Sequence, residues 1–209
     1  MTEIAEILPG VLHWRALHPK IRQTVHSYYL ADAATVLDPM VPEDVVAAIK
    51  SRRAPERVAL TNRHHYRQSD RIVSECGCPV LCPEPGLHEF AGGPDVQGYA
   101  YGDQIAPGIT AHEVGSICPD DAALHAEVGP GALALADAVI RWNGELCFVP
   151  DFLMGDDPEG VKRGIVESLE RLLELEFDCL LLAHGEPLVG GGKGALREFA
   201  EAPRSLGEF

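Results

Sequence analysis

A chain of 209 residues, 46% hydrophobic and 23% charged, is long enough to bury a substantial core and has the balance of an ordinary globular protein. Its formal charge of −15 repels nucleic-acid phosphates, which excludes nucleic-acid binding unless a local cationic pocket overrides that field. No apolar run approaches the roughly 18–20 residues of a membrane span, and MTEIAEILPG lacks the basic-then-apolar order of a secretory leader, so a cytoplasmic protein with no membrane partner is expected.

In chain order, VHSYYLADAATVLDP reads as two strands joined at Ala31-Asp32-Ala33, with β-branched and aromatic residues on either side. PEDVVAAIKSRR opens with Pro42 and two acids and closes with cations, the charge order that the helix dipole favours. Val58 to Leu60 form a buried strand that delivers the loop TNRHHYRQSD at its carboxyl end. A helix is predicted from near Ser69, and PVLCP is a further short strand. Residues 83–110 are rich in Gly and Pro, so loops with short strands are expected there, and substrate specificity with them.

AALHAEV and ALALADAVI flank the turn residues Gly129-Pro130-Gly131, a hairpin pattern. DDPEGVKRGIVESLERLLELEF is the clearest helix, with Asp157 as its cap, Pro158 in the first turn and one apolar face of Val161, Ile165, Leu169, Leu172 and Leu173. FDCLLLAHGEP is a buried strand ending in a histidine turn, and GALREFAEA is a closing helix. GGGKG at 190–194 lacks the pattern of a phosphate loop and reads as a flexible connector. This order fits one α/β domain over residues 1–209, an α/β/β/α sandwich of two mixed sheets packed face to face with helices outside.

The six cysteines are Cys76, Cys78, Cys82, Cys118, Cys147 and Cys179. The spacing in ECGCPVLCP matches no strong zinc pattern, so they read as buried small hydrophobes. His112 and His125 flank a segment with Asp120 and Asp121, parts of a replacement site that the spacing does not demand. His13, His18, His26 and His88 stand in no suggestive pattern.

Five segments in order resemble the metallo-β-lactamase superfamily, and the resemblance spans nearly the whole chain. They are TVLDP with Asp38, the loop Thr61-Asn62-Arg63-His64-His65-Tyr66-Arg67 in place of Thr-His-x-His-x-Asp-His, and Gly115-Ser116 in place of Gly-His. ALALADAV with Asp137 and LLLAHGEP with His184 complete the set. The resemblance implies the four-layer fold and, for a full family site, two metal ions sharing Asp137.

Carried over residue by residue, the first ion would use positions 62, 64 and 116, and the second 66, 67 and 184. Asn62, Ser116, Tyr66 and Arg67 replace ligands, leaving His64, Asp137 and His184. Arg67 is permanently charged and cannot ligate a metal, so it is expected to pair with Asp137 where an ion would sit. The leading expectation is a degenerate centre without standard metallohydrolase activity and without a cofactor. Its pocket of Asn62, His64, His65, Tyr66, Arg67 and Ser116 would bind a small anionic molecule. The alternatives are a hydrolase of an ester, thioester or phosphoester with one zinc, iron or manganese ion on His64, Asp137 and His184, and a homodimeric scaffold. Whether the chain is an enzyme stays open at this point.

Overall fold

The computed structural model describes residues 3–206. Its first sheet begins as an antiparallel meander of β1 (Ile4–Leu8), β2 (Val11–Leu17), β3 (Thr24–Leu30) and β4 (Thr35–Leu37). It continues in parallel through β5 (Arg57–Ala59), β6 (Val80–Pro83) and β7 (Val96–Tyr99). Parallel neighbours need crossovers, and helices α1 (Val45–Arg52) and α2 (Ser69–Cys76) supply the first two.

The second sheet contains β8 (Gln104–Ala106), β9 (Ile109–Glu113), β10 (Ala122–Ala126) and β11 (Ala132–Leu135). A small separate hairpin follows, β12 (Ile140–Trp142) with β13 (Glu145–Cys147), and then the long helix α3 (Pro158–Leu172). The chain re-enters the second sheet as β14 (Cys179–Leu182) and β15 (Leu188–Val189) and closes with α4 (Gly192–Glu201). The strand order is β15-β14-β11-β10-β9-β8, with β14 parallel to β11.

Side-chain alternation along each strand sorts the core into three layers of contact. In β11, Ala132 and Ala134 face the first sheet, while Leu133 and Leu135 face the helices. In β14, Cys179 and Leu181 point inward, and Leu180 and Leu182 point toward α3 and α4. The first sheet does the same, with Tyr28 and Leu30 inward and Tyr29, Val36 and Val58 against α1 and α2. Three interfaces define four layers, so the α/β/β/α sandwich is the architecture. Alanines dominate the inner face of the second sheet, which leaves room for the large rings of Tyr28 and Tyr99 between the sheets.

The predicted helices form with the expected local chemistry. Asp157 accepts a hydrogen bond from the Gly160 N–H at 2.9 Å and caps α3, whose Ile165, Leu169 and Leu172 are buried. The glycine run differs from its expectation as a connector, because Gly192, Lys193 and Gly194 already belong to α4. A Cβ at Gly192 would stand 2.9 Å from the Leu180 nitrogen, so glycine lets the helix start directly against β14. All six cysteines are unpaired thiols, and burial pushes that of Cys82 up to about 12. Among the described residues no helix is long and apolar enough to cross a membrane.

Candidate metal centre

The two parallel pairs decide where the polar residues gather. Because β4 runs beside β5, Asp38 and the 61–67 loop emerge at one end of the first sheet. Because β11 runs beside β14, Asp137 and His184 emerge together from the second. Main-chain bonds join these ends across the sandwich: the Ala122 N–H donates to the Thr61 carbonyl at 2.9 Å, and the His26 N–H donates to the Ala183 carbonyl at 3.0 Å.

Past β5 the chain winds into a 3₁₀ turn over Arg63–Tyr66, which Asn62 caps by accepting the His64 N–H at 3.0 Å. A turn of about three residues rotates the side chain by about 120° per step, so adjacent histidines diverge. His65 is buried and points into the cluster, whereas His64 is exposed. The structure therefore brings His65, Asp137 and His184 together and leaves His64 outside.

Asp38 fixes His65 from behind. Its Oδ2 lies 3.0 Å from His65 Nδ1, and its carboxylate also accepts the Thr61 N–H at 2.8 Å and the Thr61 hydroxyl at 2.6 Å. His65 Nε2 then faces Asp137 Oδ1 at 3.4 Å, and His184 Nε2 faces the same oxygen at 3.2 Å. The second oxygen of Asp137 accepts a hydrogen bond from Asn62 Nδ2 at 3.0 Å. Burial and Arg67 lower the His65 pKa, but the carboxylates of Asp38 and Asp137 outweigh them and raise it to about 9. Burial acts to raise Asp137, yet His65 and His184 hold its carboxyl well below the usual range.

The other residues singled out in the sequence take different places. Arg67 is directed at main-chain oxygens, donating from Nη1 to the carbonyls of His26 at 3.0 Å and Asp38 at 2.8 Å. The expected Arg67–Asp137 ion pair does not form. Asp137 is met by two imidazoles and an amide, and the arginine acts on it only through the field. Tyr66 turns to the outer core beside Phe90, with ring centroids 5.6 Å apart. Ser116 donates to the Val114 carbonyl at 3.3 Å and packs against Gly164 of α3. Asp120 is taken up by Arg63, and the His112 and His125 rings meet edge to face at 6.3 Å. Asp121 is fully buried with neither carboxyl oxygen hydrogen-bonded; burial, then the charge of Asp137, push its pKa well above the ordinary carboxylate value.

The donor set of His65, Asp137 and His184 fits a metal ion. Its three ligand atoms lie within 4.8 Å of one another. A tetrahedral ion with bonds of about 2.0–2.1 Å sets its ligands about 3.3 Å apart. The two separations from Asp137 Oδ1, 3.2 and 3.4 Å, match that edge and exceed the ~2.7–2.9 Å of a charge-assisted hydrogen bond. The Asp38–His65 contact is the carboxylate–imidazole pairing that orients metal-binding histidines.

With four layers and a polar cluster at the strand ends, the chain has the metallo-β-lactamase fold, and comparison with solved structures agrees. A metallo-β-lactamase from Pontibacter korlensis superposes with a TM-score of 0.69 over 96% of this chain and 98% of its own, at 15% identity. A β-lactamase domain protein from Burkholderia ambifaria gives 0.64 over 96% and 77%, at 19% identity. A mutant flavo di-iron protein from Thermotoga maritima gives 0.65 over 96% and 61%, at 15% identity. No protein-family model and no curated protein matches the sequence.

Proposed function

We propose that the chain is a hydrolase-like protein of this fold whose reduced centre holds a single divalent ion, zinc, iron or manganese, on His65, Asp137 and His184. Its substrate class is an ester, thioester or phosphoester. The observation that carries this reading is the pair of separations around Asp137 Oδ1, which suit metal ligation better than hydrogen bonding. His65 takes the part that the motif alone gave to His64. An ion bound there would supply Lewis-acid polarisation of the scissile group and of water.

The chain's own residues support a centre for one ion. Asp38 and Thr61 hold the His65 ring in one orientation. Asn62 donates to the Asp137 oxygen that faces away from the imidazoles and so occupies the position a bridging carboxylate would offer to a second ion. Arg67 places a fixed cation beside Asp38, which also disfavours a second ion. The metal-free anion pocket ranks below this reading, because Arg67 Nη1 is engaged by the carbonyls of His26 and Asp38, and its Nη2, which has no hydrogen-bond partner, is buried out of reach of solvent.

The test is a Zn2+ titration of the chelator-stripped protein alongside esterase and phosphodiesterase assays. His65→Ala and His184→Ala should each remove one equivalent of bound metal and any activity found, while His64→Ala should change neither. Metal binding that survives His65→Ala and His184→Ala unchanged would overturn the assignment.

A further inference from the structure

A second pair of histidines lies behind the first cluster. His13 on β2 and His26 on β3 project from the same face of the first sheet, diagonal to each other in the antiparallel register, since His13 pairs with Tyr28 and His26 with Arg15. His13 Nε2 and His26 Nδ1 stand 2.8 Å apart, a hydrogen bond that an ion held by both nitrogens would replace by parting them to about 3.3 Å, and the two rings are nearly parallel, with 4° between their planes. Both are buried, at 7% and 3% exposure. The third member comes from the other sheet: Glu186, two residues past His184, brings its carboxylate into the same space, and the three ligand atoms lie within 4.8 Å of one another.

Two buried imidazoles facing each other, with the Tyr28 ring stacked on His13, are costly to desolvate, and one shared proton satisfies only one nitrogen of each ring. Two imidazoles and one carboxylate form a donor set that suits borderline divalent ions. The carboxylate is pre-positioned, since Arg15 Nη1 holds Glu186 Oε1 at 2.5 Å, and both of those side chains are about half exposed, which leaves a route in from solvent.

We propose that His13, His26 and Glu186 form a second binding site for a divalent cation of the zinc type, separate from the cluster on His65, Asp137 and His184. It would cross-link the first sheet to the turn after β14, where the His26 N–H already bonds to the Ala183 carbonyl. An ion there would pin Glu186, and with it the Gly185 turn that follows His184. That turn has no slack, because Gly185 has φ +95° and a Cβ there would meet the Arg141 carbonyl oxygen at 2.2 Å.

Zn2+ titration of the stripped full-length chain separates this proposal from the previous one. The wild type should take up two equivalents and His65→Ala one. Adding Glu186→Gln, a substitution at an exposed position that leaves the core intact, should weaken the remaining equivalent at least about tenfold, the scale seen when a group supporting a metal site is lost. Adding His13→Gln should abolish it. In the Co2+-loaded His65→Ala protein, a visible absorption band should be present and should vanish with His13→Gln. If His65→Ala binds no Zn2+, or if its remaining equivalent ignores both Glu186→Gln and His13→Gln, the second site does not exist. If His65→Ala instead leaves the wild-type stoichiometry intact while His13→Gln reduces it, the second site stands and the first assignment fails.

Discussion

Asp38 and Arg67 adopt positive φ values of +45° and +44°, which non-glycine residues rarely do. Each such conformation costs about 1–3 kcal/mol and persists only where the surroundings over-determine it. Here they do. The Asp38 carbonyl accepts from Ser27 Oγ and Arg67 Nη1, both at 2.8 Å, and its carboxylate is met by Thr61 and His65. The strain is thus spent on aiming one imidazole. Asp38→Asn preserves the shape and removes the charge that orients His65 Nδ1, so affinity for metal at the first cluster should fall about 10–100-fold. Competition against a chromophoric chelator measures it, and an unchanged affinity would show that Asp38 does not orient the ring. At this scale the sequence was only half legible. It pointed to Asp38, Asp137 and His184 as the polar ends of strands, but a motif written for another loop geometry cannot say which of two adjacent histidines a 3₁₀ turn rotates inward. Nor could it show that a long arginine would run back to two carbonyls, because main-chain acceptors leave no mark in a sequence. His13 and His26 were illegible for a related reason: strand register, not spacing, makes them neighbours.

At the level of single elements, local patterns served well. The hairpin of β10 and β11 closes with Ala126 opposite Ala132, across the turn that Gly129-Pro130-Gly131 marks. The apolar stripe of α3 lies where a period of 3.6 puts it, and its cap is the aspartate that precedes Pro158. That cap gives a simple check. Asp157→Ala leaves the Gly160 N–H without its acceptor and should lower stability by about 1 kcal/mol, read as a shift in the urea midpoint with an unchanged slope. No shift would mean that solvent replaces the cap without loss. The glycine run misled for a physical reason. Its residues look flexible, but a helix that begins against a strand needs the absence of a side chain, and composition alone does not separate the two uses.

For the molecule as a whole, β4, β11 and β14 are short apolar runs buried on both faces, as two packed sheets under helices require, and of these the sequence marked the β14 segment as a buried strand. What alternation could not give is how the sheets are tied at the end that bears the cluster. Tyr28, fully buried on β3, donates its hydroxyl to the Leu182 carbonyl of β14 at 2.8 Å, one of the bonds from the first sheet to the strand that ends beside His184. Tyr28→Phe keeps the ring in the core and leaves that carbonyl short of a donor. Stability should drop by about 1–2 kcal/mol in equilibrium unfolding, and a neutral result would mean that the sheets hold their spacing by apolar packing alone.

The parallel pairings that collect Asp38, His65, Asp137 and His184 carry a thermodynamic corollary. The donors belong to stretches far apart along the polypeptide, so a denatured chain has no preformed chelate to offer, and whatever ion the native cleft accepts reports on completed assembly. At a free concentration one hundred times its dissociation constant, such an ion would deepen the native basin by about 2.7 kcal/mol. Cellular metal supply would then tune how long this protein survives.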